Sequence, residues 1–88
     1  MKIKGITLIE KGSLLASISV EVAPGVTVNE FKIQKDRQGE IFVAPPVIHW
    51  IENRQHYYQS AITLSESLRI LVEQKVIEYY EALKEREA

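Results

Sequence analysis

His49 and His56 are the only imidazoles in the chain, and there is no cysteine. Thiolate nucleophiles, disulfides and cysteine-held metals are therefore excluded. A metal would need both histidines plus carboxylates, but their seven-residue separation matches neither HxxxH nor HExxH. Imidazoles carried by an irregular loop seldom converge on one ion, so no metal is expected. Ser13, Ser17, Ser19, Ser60, Ser65 and Ser67 lie in strand-like runs or at a helix start, and none has a GxSxG setting. Gly5, Gly12, Gly25 and Gly39 stand singly, without a phosphate-cradling glycine loop. No acid and base are paired by spacing, so the sequence predicts no catalysis, no cofactor and no small-molecule substrate.

Binding is the chemistry these residues can do. The segment from Val47 to Tyr58 combines Trp50, Tyr57 and Tyr58 with Arg54 and both histidines. That mixture suits stacking on unpaired bases, a protein interface, or packing beneath a sheet. Lys2, Lys4, Lys32, Lys35 and Arg37 gather on strands and turns, with Lys32 pointing away from the core if Phe31 and Ile33 point in. They form either a modest positive patch or solvated lysines that discourage edge pairing. The formal net charge of −1 gives no general attraction to phosphate. Residues 64 to 88 carry six Glu against four Lys or Arg, a poor phosphate surface. The candidate nucleic-acid contacts are Lys32, Lys35, Arg37 and Arg54 for phosphates, with Trp50 and Tyr57 for bases.

The elements that position these residues are strands followed by one helix. Ile6 and Leu8 alternate with polar neighbours between Lys2 and Glu10, and Lys11-Gly12-Ser13 supplies a tight turn. From Ala16 to Val22 the alternation is strict, with Ala16, Ile18, Val20 and Val22 on one face. Pro24-Gly25 fits a type II turn. The apolar set then changes phase between Val28 and Phe31, which predicts a bulge near Asn29-Glu30. After a turn at Asp36–Gly39, Ile41–Ala44 is apolar on both faces, as in a central strand or one covered by another subunit. Pro45-Pro46 ends it. Residues 45 to 56 read as irregular, and Tyr57 to Ile62 as a short fifth strand.

From Leu64 to about Arg86 the period becomes helical, with Leu64, Leu68, Leu71, Val72, Val76, Tyr79 and Leu83 on one stripe. Thr63 and Glu66 match a capping box at its start. Ile70 and Ile77, with Tyr80 at the edge, project away from that stripe as a candidate contact ridge, or as scattered exposed residues needing no partner. The expected fold is α+β: an antiparallel sheet of four to five strands with one C-terminal amphipathic helix packed on it. Eighty-eight residues allow one domain, 1–88. With 45% hydrophobic and 26% charged residues the chain should fold. No apolar run has signal-peptide or membrane-span length, so a cytoplasmic protein without a membrane role is expected.

Four segments in order carry a resemblance: Leu14–Val20, Val28–Ile33, Ile41–Pro46 and Val76–Tyr80. Together they resemble the stage V sporulation protein G (SpoVG) family of septation regulators over nearly the whole chain. The resemblance implies a small α+β homodimer, a bacterial regulatory role in septation and sporulation, binding to DNA or RNA, and no catalysis. Lys32 matches a position where that family carries a basic residue. Where the family follows its Phe-Val-Ala-x-Pro strand end with Ser and two basic residues, this chain has Val47-Ile48-His49-Trp50, which removes positive charge. Two readings follow: a dimeric nucleic-acid-binding regulator, or a protein-interaction module that has lost nucleic-acid binding.

Overall fold

The computed structural model describes residues 1–87. Six strands precede one helix: β1 Lys2–Lys11, β2 Leu14–Ala23, β3 Val26–Lys35, β4 Ile41–Ala44, β5 Val47–Glu52, β6 Gln55–Ser60, and α1 Glu66–Glu87. The first four form an antiparallel sheet in the order β1-β2-β3-β4, while β5 and β6 pair only with each other. The class is α+β, as the change from period two to helical period requires.

Alternation on β2 sets the core. Ala16, Ile18 and Val20 are buried, Ile33 pairs with Ala16, and Phe31 pairs with Ile18. Val72, Val76 and Tyr80 of α1 close over this face. Full burial of an aliphatic side chain stabilises by about 1.5–3 kcal/mol, so these few residues dominate cohesion. The opposite face carries the cross-strand row Thr7–Ser17–Lys32–Ala44, which no helix covers. The expected bulge is present: Ile18 opposes Phe31 and Val20 opposes Val28, leaving Ser19 against both Asn29 and Glu30. Glu30 adopts a φ of 63° there. Gly25, at φ 77°, takes the positive-φ position that follows Pro24.

Several expectations need correction. Ile41–Ala44 is not central: β4 lies at the sheet edge with Phe42 exposed. Residues 47–60 are not an irregular loop followed by a strand of the main sheet, but a hairpin. The helix starts later than Leu64, and Ser65 caps it. Its Oγ accepts the Leu68 N–H at 3.3 Å, and its carbonyl accepts the Arg69 N–H at 2.8 Å. Thr63 lies before the helix, so the Thr63–Glu66 capping box does not form.

The helix meets the sheet through an arc rotated from its apolar stripe, burying Tyr80 and leaving Leu71 and Tyr79 exposed. Tyr80 belongs to the core rather than to an outer ridge, because it lies one turn beyond Val76 on the same face. At the far end, Lys84 forms an ion pair with Glu10 on β1 and contacts Glu87 at 3.3 Å. The hydrogen bond to Glu10, then that to Glu87, raises the Lys84 pKa above the ordinary lysine value.

Candidate functional site

Past Pro45-Pro46 the chain leaves the main sheet and folds back on itself. The register runs Val47↔Ser60, Ile48↔Gln59, His49↔Tyr58, Trp50↔Tyr57, Ile51↔His56 and Glu52↔Gln55. A further backbone bond from Ala61 N–H to the Pro46 carbonyl, 2.8 Å, extends the ladder at its root. Asn53 and Arg54 make the turn with φ of 50° and 65°, the doubly positive pattern of a two-residue type I′ hairpin. Asparagine tolerates this region, whereas arginine there costs about 1–2 kcal/mol relative to an ordinary conformation. The missing Gly after Asn53 hid the turn from pattern reading.

Every residue of β5 and β6 is exposed. The arm also enlarges the molecule: the Cα radius of gyration is 14.0 Å, against about 12 Å for a compact chain of this length. A lone two-stranded hairpin is at best marginally stable in water. Val47, Ile48, Ile51 and Tyr58 are nevertheless 52–67% exposed, which marks an arm suited to contact with another molecule.

Alternation sorts the arm into two faces. One carries Trp50 and Tyr57, with ring centroids 5.6 Å apart and planes at 16°. The Tyr57 hydroxyl donates to Gln55 Oε1 at 2.8 Å. The other face carries His49, His56 and Tyr58. The His49 and Tyr58 rings overlap at 4.6 Å and 12°. His49 Nε2 lies 2.8 Å from His56 Nδ1, with centroids 5.1 Å apart and rings 6° from parallel. So short a nitrogen separation at that centroid distance sets the two imidazoles edge to edge, sharing one N–H···N bond. Residue spacing alone concealed this pair, because only the turn at Asn53-Arg54 makes His49 and His56 diagonal neighbours on one face.

The candidate basic residues do not converge. Lys35 ends β3 and Arg37 sits in the following turn. That turn is fixed by Asp36 Oδ1, which accepts the Gln38 and Glu40 N–H groups at 2.9 Å each. Lys32 is half-buried on the uncovered face, and Arg54 is at the hairpin tip, about 20 Å from its root by strand rise. Trp50 and Tyr57 do come together. Of the helix ridge, Ile70 is exposed, Ile77 half-buried and Tyr80 buried.

A cleft of about 230 Å³ separates β4, the hairpin root and the start of α1. Phe31, Val43, Pro45, Ile62, Leu64 and Val72 line it, together with Ser60, Thr63, Arg69 and Glu73. Arg69 and Glu73 face each other at 3.6 Å. Among the described residues, no three His, Cys, Asp or Glu side chains group as a metal site, and no helix is long and apolar enough to cross a membrane. No protein-family model, curated protein or solved structure matches the chain.

Proposed function

We propose that this chain is a small, dimeric, cytoplasmic regulatory protein of the septation and sporulation regulator type, binding DNA or RNA without catalysis. The observation that carries the reading is the exposed hairpin arm, with its Trp50–Tyr57 pair on one face and Arg54 at its tip. Aromatic faces presented on strands stack unpaired bases with little regard to sequence. Arginine in a backbone position that favours glycine is a strained residue, and such strain concentrates where a side chain is used. Lys32, Lys35 and Arg37 supply further phosphate contacts at separate places, which suits an extended strand better than a compact ligand.

The dimer contact assigned to this reading is the β4 edge. Ile41–Ala44 carries no charge and exposes Phe42, while the opposite edge, β1, is guarded by Lys2, Lys4 and Lys11 and by two register shifts. A mobility-shift assay with single-stranded RNA over a salt series tests nucleic-acid binding. Four phosphate contacts per chain give a log–log salt slope of up to about −3; absent binding at low salt, or indifference to salt, removes the reading.

A second reading, a protein-interaction module without nucleic-acid binding, is favoured by one specific feature: Val47, Ile48 and Ile51 expose apolar surface on both hairpin faces. In that case Ile51→Asp abolishes partner capture while the fold persists, and no RNA shift is seen with the native chain.

A further inference from the structure

We infer that the arm is a self-association surface, through which two copies of the chain pack their hairpins face to face. Alternation puts Val47, His49, Ile51, His56, Tyr58 and Ser60 on one face, opposite Trp50 and Tyr57. None of the six is Lys, Arg, Asp or Glu. Val47, Ile51 and Tyr58 are 59, 62 and 67% exposed, the highest values among the large hydrophobic side chains of the described residues. The bond between His49 and His56 already engages one nitrogen of each ring, which lowers the cost of covering the pair. A two-stranded hairpin is marginal in water until such a face packs against something.

The occupant is a second copy because the pattern on this face is complementary to itself. The His49↔Tyr58 rung lies midway between Val47↔Ser60 and Ile51↔His56. A two-fold axis at that rung, lying between the two faces and across the strands, sets the tip of each arm on the root of the other. Val47 then meets Ile51 of the second copy, Tyr58 meets Tyr58, and small Ser60 leaves room for His56. Laid tip to tip, the same faces would set Val47 against Ser60 and Ile51 against His56, apolar against polar.

The same two-fold brings the turn at Asn53-Arg54 level with Pro45 and Ile62 of the second copy, both of which line its apolar cleft. Each arm offers a face about 20 Å long and 10 Å wide. With the turn laid on the cleft, the contact buries on the order of 1,000 Å² in total, the lower bound for a specific interface, so association is reversible and concentration-dependent. The inference goes beyond the nucleic-acid reading, since the Trp50–Tyr57 face stays open. It is also separate from the β4 edge, and a chain with both contacts joins dimers into larger assemblies.

The test is an isotope-filtered NOE spectrum of the native full chain, with labelled and unlabelled copies mixed at about 1 mM, where a weak contact is populated. The expected result is intermolecular NOEs from the Val47 methyls to Ile51 and between Tyr58 rings. On dilution to about 10 μM the Val47, Ile51 and Tyr58 signals should shift while the Trp50 indole signal stays in place. NOEs that join Ile51 to His56 tip to tip, NOEs confined to β4, or none at all would overturn the inference. NOEs confined to Phe42 and its neighbours would leave the β4 dimer standing without the arm contact. NOEs at the arm with none at Phe42 would uphold the arm contact and remove the β4 dimer.

Discussion

Trp50 and Tyr57 face each other across the hairpin at 5.6 Å, on strands exposed along their whole length. Such a pair holds the arm together as much as it offers a surface. Cross-strand aromatic pairs contribute about 0.2–1 kcal/mol over alanine. A double-mutant cycle of Trp50→Ala and Tyr57→Ala, read from hydrogen exchange of the β5–β6 amides, should return a coupling in that range. Each single variant should weaken RNA binding by about 1–3 kcal/mol if that ring stacks a base.

Arg54 gives a second separation of stability from function. Arg54→Gly relieves a left-handed arginine and should stabilise the hairpin by up to about 1 kcal/mol after the entropic cost of glycine. The same change removes a proposed phosphate contact and should reduce the magnitude of the RNA salt slope by about 0.7. Hydrogen exchange reads the first effect and the salt series the second.

Ser65 and Thr63 compete for the role of helix cap, and the bond from the Leu68 N–H to Ser65 Oγ assigns it to Ser65. Ser65→Ala should cost about 1 kcal/mol in denaturant unfolding. Thr63→Ala should change stability by less than about 0.5 kcal/mol.

Lys84 and Glu10 tie the end of the helix to the first strand. Because the folded-state pKa of Lys84 is raised, the pair stabilises below the ordinary lysine range and that contribution fades as pH rises through the folded value. Both side chains are partly exposed, so the effect is small and salt-sensitive. Thermal unfolding of Lys84→Met against the native chain should differ at neutral pH and low salt and converge at strongly alkaline pH.

Much of the main sheet was legible because its physics is local. Alternation from Ala16 to Val20 names the residues of β2 that are buried, and the phase change at Val28–Phe31 locates the bulge at Asn29-Glu30, opposite Ser19. The turn at Pro24-Gly25 follows from φ preferences alone. The hairpin was not legible, since Val47–Glu52 and Gln55–Ser60 lack one apolar face and their turn has arginine where glycine is usual. The histidine pair was hidden with it, because its spacing has meaning only once the strands are paired. Tyr80 differs for another reason: periodicity finds a helical stripe, but which of its edges turns to the sheet is decided by the packing of Val72 and Val76 against β2 and β3.

In the proposed function the hairpin arm is the surface that meets nucleic acid. The most direct measurement is amide NMR of the full chain during titration with a single-stranded RNA pool at low salt. Shifts concentrated at residues 47–60, with Lys32 and the Lys35–Arg37 turn following, are the predicted result. Shifts confined to α1, or a spectrum that does not change, would contradict it.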